Sequence, residues 1–157
     1  MTTGLIVGRF DPPHLGHSYL IEEAGRRCAR LAVFVNSGPA DTAPGALRAG
    51  WLAELHPEVE VVEVIHDLPT DFGDEALWQR WIDLFRAHWP FEDGPDVVCS
   101  SDPYVGELAR RLDAEPVVVD AGRVHVPISA SMVRADPAAH LDRLAPPVRA
   151  WVETNWL

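Results

Sequence analysis

Two histidines three residues apart, His14 and His17, stand in the segment LIVGRFDPPHLGHSYLIEEAGRRC (residues 5–28). That segment reads as a short apolar strand, a loop bearing glycine and proline, and a helix that begins near His17. In the first turn of a helix, side chains three positions apart lie on one side, so the two imidazoles would point at one spot. The first helical N–H groups have no partner inside the helix, and the helix dipole adds partial positive charge there. A phosphate suits such a place better than a metal cation, and no third ligand stands at an obvious zinc spacing. The pair is expected to donate hydrogen bonds to phosphate, with neither ring acting as a nucleophile.

A second group with the same chemistry is ISASMVR (residues 128–134). Ser129 can cap a short helix, Ser131 falls in its first turn, and Arg134 follows three residues later on the same side. A plain capped helix would account for the serines. Arg48 is the third candidate. Its helix should begin beside the C-terminal ends of the first two strands, where open α/β sheets bind ligands, and a guanidinium there can hold a phosphate bidentately. Trp78 and Trp81 belong to an aromatic stripe with Ile82 and Phe85. They are either ordinary core or a wall for a flat cationic ring, where stacking and cation–π attraction contribute about 0.5–2 kcal/mol. Trp81 is expected to be the more buried, because Ile82 and Phe85 share its side.

The elements that must position these residues alternate. Apolar runs at 5–7, 31–37, 59–65, 97–100 and 116–120 read as strands. The third carries Glu60 and Glu63 and so should lie near an edge. Between them, Leu47, Trp51 and Leu55, widened by Leu52, predict a helix that Pro57 ends. Helices over 77–89 and 104–112 follow, and short helices from about residue 129, at 137–144 and at 147–156, close the chain. Strands alternating with helices predict an α/β fold with a doubly wound, parallel, Rossmann-like sheet, built as one domain over residues 1–157.

Composition narrows the partners. A formal charge of -11 argues against a general affinity for nucleic acid, although a pocket can be locally positive inside an acidic shell. No apolar run is long enough for a membrane span, and no secretory signal opens the chain. Cys28 and Cys99 lack a CxxC partner and read as buried thiols in a reducing, cytoplasmic setting. A homo-oligomer is one option for its assembly.

GRFDPPHLGH resembles the GxFxPxHxGH signature of the nucleotidylyltransferase superfamily, and ISASMVR resembles its ISxTxxR signature. PGALRAGWL, the DLP segment with Trp78 and Trp81, SSDPYVGELARRL and VDAGRVHVPIS are most similar to the nicotinamide-nucleotide adenylyltransferase domain of NadR-type proteins. Ser131 stands where threonine is usual, and Asp102 where glutamate is usual. The resemblance implies adenylyl transfer from ATP to nicotinamide mononucleotide (NMN), giving NAD and pyrophosphate. It implies that His14, His17 and Arg134 are catalytic, with His17 nearest the reacting phosphorus. Gly8, Arg9, Phe10, Gly16, Arg48, Ser129, Ser131 and Arg134 would form the ATP and phosphate site. Trp78 and Trp81 would border nicotinamide, and Mg²⁺ would be carried by ATP rather than by protein ligands.

The nearest rival is another transferase of this superfamily, acting on nicotinate mononucleotide, phosphopantetheine or a cytidylyl acceptor. A rival of another class is a sensor that binds NAD or ATP without turnover. No GxxxxGK[ST] loop is present, so a fused kinase activity is not expected, and no DNA-reading helix pair precedes Leu5.

Overall fold

The computed structural model describes residues 2–157. Five parallel strands form one sheet: β1 (Thr3–Gly8), β2 (Arg30–Ser37), β3 (Glu60–Ile65), β4 (Val97–Ser100) and β5 (Glu115–Val118). Their order is β3-β2-β1-β4-β5. The chain therefore winds outward from β1 to the β3 edge and then returns to lay β4 on the other side of β1. That reversal opens a crevice outside the C-terminal ends of β1 and β4, at Gly8 and Ser100. The glutamates of β3 lie on an edge strand, as its alternation predicts.

The helices cover both faces: α1 (Leu15–Arg27), α2 (Gly45–Leu55), α3 (Glu75–His88), α4 (Val105–Arg111), α5 (Ala130–Ala135) and α6 (Pro146–Asn155), with a 3₁₀ segment at Pro137–Arg143. Strand side chains alternate between the two layers. Leu5, Val7, Phe34, Val64 and Val98 pack with Trp78, Ile82 and Phe85 of α3 and with Val105 and Leu108 of α4. Ile6, Val33, Val35 and Cys99 pack with Leu20, Ile21 and Ala24 of α1 and Leu52 of α2. A third cluster joins Trp51 of α2 to Ile128, Val133, Val148 and Val152, which holds the C-terminal helices against the body. Cys99 is buried and Cys28 only partly so; both are free thiols.

Helix α2 is rotated from its expected phase. Leu47 is 38% exposed, and Arg48, Trp51 and Leu52 form the buried face. No helix among the described residues is long and apolar enough to cross a membrane.

Candidate active site

A cavity of about 390 Å³ occupies the crevice. The β1–α1 loop supplies Gly8, Arg9, Phe10, His14, Gly16 and His17 to its wall. The segment after β4 adds Ser100, Asp102 and Tyr104, α5 adds Ser131 and Arg134, and α3 with its preceding loop adds Asp71, Phe72, Trp78 and Trp81. Residues from separate stretches of sequence thus meet at the place where the sheet topology opens.

His14 is the N-cap of α1. Its Nδ1 accepts from Gly16 N at 3.0 Å and His17 N at 3.3 Å, while His17 Nδ1 accepts from His14 N at 3.1 Å. These reciprocal bonds form a capping box made of two imidazoles. The rings stack with centroids 3.7 Å apart at 19°. An Nδ1 that accepts a backbone N–H carries no proton, so each neutral ring bears its hydrogen on Nε2. Burial pushes His14 down to about 3, aided by the Arg123 guanidinium. Burial also holds His17 well below its ordinary value, followed in effect by His14 and Arg123. The helix start therefore presents two neutral Nε2–H donors. That of His14 is buried without a hydrogen-bond partner among the described residues.

The loop before them is fixed from three sides. Asp11 is fully buried, and its carboxylate accepts from Thr42 N and Oγ1 at 2.9 Å and from Ala43 N at 2.8 Å. Arg134 donates to the Asp11 carbonyl and, at 3.3 Å, to Ser131 Oγ. Arg48 closes the third side. It is fully buried and donates to the carbonyls of Ala43 (2.9 Å), Asn36 (3.1 Å) and Arg9 and to the Asp41 carboxylate. The sequence places Arg48 at a phosphate, whereas here its guanidinium is turned to protein acceptors. Its donors are taken by the loop, and it is absent from the cavity wall. Arg9, by contrast, reaches the cavity and pairs with Asp41 at 3.0 Å and Asp11 at 3.5 Å. Phe10 adopts φ 52°, a left-handed conformation that costs a non-glycine residue about 1–3 kcal/mol, and buries its ring against His17.

Ser129 caps α5 by accepting from Met132 N at 3.2 Å. It stands outside the cavity wall, whereas Ser131 is within it. The cap that the sequence predicts for Ser129 is formed, and the hydroxyl's only described hydrogen bond turns it toward its own helix.

At the other end of the cavity, both indoles are anchored. Trp78 Nε1 donates to the Phe72 carbonyl and Trp81 Nε1 to the Pro69 carbonyl, each at 3.0 Å. Trp78 is the buried one, at 7% exposure, and the Arg111 guanidinium lies over its ring at 4.8 Å. Trp81 is half-buried, edged by His66 at 4.5 Å and Phe85 at 5.6 Å. This reverses the expected order. Ile82 and Phe85, four and seven residues after Trp78, share the buried face of α3 with Trp78 rather than with Trp81, and Trp81 flanks that face. Phe72 and Tyr104 stack at 5.9 Å and 20°, adding a second aromatic wall.

Several wall residues escape a reading of motifs. Arg123, at φ 50° in an irregular stretch, donates to the Ile128 carbonyl at 3.1 Å and lies 3.5 Å from Asp102. It thereby ties the start of α5 to the segment after β4. Tyr104 donates to the Val7 carbonyl at 3.2 Å. Asn36 stands next to the end of an apolar run whose pattern signals only a strand, and it lines the cavity. Their signal is tertiary: each comes from an element that reaches the site only through the sheet order. Among the described residues, no three His, Cys, Asp or Glu side chains cluster as metal ligands.

The model of the cytidylyltransferase-like family matches residues 5–136, from β1 through α5. The chain belongs to the cytidylyltransferase-like family. This cytidylyltransferase-like chain is 38% identical over 85 residues to a probable nicotinate-nucleotide adenylyltransferase of Cereibacter sphaeroides, covering 49% of the chain and 45% of the relative. It is 26% identical over 160 residues to the trifunctional NAD biosynthesis/regulator protein NadR of Escherichia coli, covering 87% of the chain and 37% of the relative. The chain thus spans half or less of these relatives. A solved structure of NadR protein in complex with NAD and AMP-PNP superposes at TM-score 0.63 with 20% identity, over 90% of this chain and 44% of that one. A bifunctional NMN adenylyltransferase/ADP ribose pyrophosphatase from Francisella tularensis, complexed with AMP and manganese, superposes at 0.64 with 11% identity, over 98% and 50%. At these identities the superpositions show a shared fold.

Proposed function

We propose that this chain transfers the adenylyl group of ATP to the phosphate of a pyridine mononucleotide, NMN being the preferred acceptor. The observation that carries the reading is the buried, unpartnered Nε2–H of His14 beside its stacked partner His17, at a helix start that opens into the cavity. A buried donor without a partner is costly unless a ligand supplies one, and a phosphate oxygen matches its chemistry.

In this reading an oxygen of the mononucleotide phosphate attacks the α-phosphorus of ATP. The bond to the β-phosphate oxygen breaks, and pyrophosphate leaves with the bonding electrons. The attacking oxygen is already an anion, so the site needs no general base. It needs alignment and donors aimed at the transferring group. His14 and His17 supply neutral N–H donors there, while Ser131 and Arg134 hold the departing phosphates. Mg²⁺ would arrive on the triphosphate and neutralise its charge.

The acceptor is argued from the aromatic end. Residues 70–85 contribute Thr70, Asp71, Phe72, Trp78, Trp81 and Phe85 to the wall, which is one acid and no base. A cationic pyridinium bearing a neutral amide suits that wall better than one bearing a carboxylate. The second reading, nicotinate mononucleotide, draws its support from the name of the 38% identical relative.

The test supplies purified protein with ATP and Mg²⁺ and offers NMN, nicotinate mononucleotide and 4'-phosphopantetheine separately. Pyrophosphate and NAD should appear in equal amounts with NMN. Turnover of phosphopantetheine alone would overturn the reading, and a preference for nicotinate mononucleotide would overturn its finer half.

A further inference from the structure

Asn36 is the penultimate residue of β2. Two and four residues earlier, Phe34 and Ala32 pack in the layer with α3, whereas Val33 and Val35 face α1 and α2. Strand alternation therefore carries the Asn36 side chain to the α3 layer, level with Val64 of β3, and it lines the cavity. Phe34 packs on Phe85 at 5.9 Å and Phe85 on Trp81 at 5.6 Å, so Asn36 stands at the mouth side of the same aromatic column. Its main chain is held, because the Asn36 carbonyl accepts from Arg48 at 3.1 Å. Its side-chain Oδ1 is buried and has no hydrogen-bond partner among the described residues.

A buried amide oxygen left without a donor is costly, so it marks a place where a ligand donor completes the structure. The two pyridine mononucleotides differ in that respect. The carboxamide of nicotinamide carries an N–H₂ donor, while the carboxylate of nicotinate offers only acceptors and a negative charge. A site built to hydrogen-bond one group rejects an analogue lacking it far more sharply than an apolar wall can. We propose that Asn36 is a specificity-determining residue whose Oδ1 accepts a hydrogen bond from the carboxamide of the acceptor ring. This rests on the pyridine-mononucleotide reading above and adds the residue that discriminates.

The test measures kcat/KM for NMN and for nicotinate mononucleotide, KM for ATP, and the melting temperature, in the parent, Asn36→Leu and Asn36→Asp. Leucine keeps the volume and removes the acceptor; aspartate keeps an acceptor in nearly the same shape. Asn36→Leu should lower kcat/KM for NMN about tenfold to a hundredfold, mostly through KM. It should leave nicotinate mononucleotide and ATP within about threefold, so that the preference collapses. Asn36→Asp should retain most of the NMN activity and disfavour nicotinate mononucleotide further. If leucine lowers both acceptors equally, Oδ1 meets a group common to both, such as a ribose hydroxyl, and the proposal is wrong. A fall in melting temperature with an unchanged ratio in both variants also overturns it. A parent that uses neither mononucleotide defeats the functional reading itself, which is a separate outcome.

Discussion

A Cβ at Gly16 would stand 2.8 Å from Cε1 of His14 and 3.0 Å from its Nδ1. The glycine is what lets the imidazole fold back over the first turn of α1 and take two backbone N–H groups. Gly16→Ala should therefore push the ring out of its cap. Alanine is otherwise the better helix former, by up to about 1 kcal/mol, so the two effects oppose each other in stability. Turnover should fall at least about tenfold while the melting temperature moves little, and a variant with parental turnover would show that the ring is not held this way. His17→Ala removes the second donor outright and should cost about 10²–10³ in turnover.

Replacing Arg48 should damage the fold before the chemistry. Arg48→Met leaves Asp41 and three carbonyls short of a donor in a buried place, at about 3–5 kcal/mol. Arg48→Lys should fail as well, since one ammonium cannot match a planar fork that reaches four acceptors. Denaturant titration decides: parental stability with weakened ATP binding would restore Arg48 to the phosphate site.

The tryptophans should separate. Trp78→Leu removes a buried ring and its bond to the Phe72 carbonyl, and should appear as a loss of about 2–4 kcal/mol in stability. Trp81→Leu should instead weaken NMN threefold to thirtyfold, about 0.5–2 kcal/mol, with ATP affinity unchanged. The Trp78 reading falls if its variant keeps parental stability, and the Trp81 reading falls if its variant melts early and binds NMN normally.

Acid should destabilise the free protein earlier than its carboxylates alone would. In the unfolded chain His14 takes up a proton below its ordinary 6.5, and in the fold only below about 3. The unfolded state thus binds more protons throughout that window, and stability falls as pH drops through it at about 1.4 kcal/mol per pH unit. Above the window the contribution is constant. His17, His56 and His66 are shifted the same way, each by burial first. Denaturant midpoints should decline between about pH 7 and about pH 5.5, and imidazole resonances of His14 should show no titration there. A flat midpoint would contradict the burial of these rings.

The strand–helix order and the pairing of His14 with His17 were legible because both rest on local periodicity. Arg48 was not. Hydropathy favours Leu47 as the inward residue, and the pull on Arg48 comes from carbonyls at Arg9, Asn36 and Ala43, on three separate stretches. Which tryptophan is buried follows from the phase of α3, where Trp78, Ile82 and Phe85 stand at i, i+4 and i+7 on the inward face. Arg123 and Asn36 carry no spacing signal; only the β3-β2-β1-β4-β5 order brings them to one cavity.

The loop over the aromatic end is fastened through main-chain oxygens, those of Pro69 and Phe72, to indoles on a rigid helix. Every residue type has such an oxygen. Side chains at 70–72 can therefore be exchanged while these two main-chain fastenings stay, even where the Asp71 bond to Gly73 N and the Phe72 stack on Tyr104 are lost, which makes this short stretch an adjustable rim on a fixed frame. Libraries confined to Thr70, Asp71 and Phe72 should change which acceptor is taken while leaving the phosphate end, and the folding of the chain, as they are.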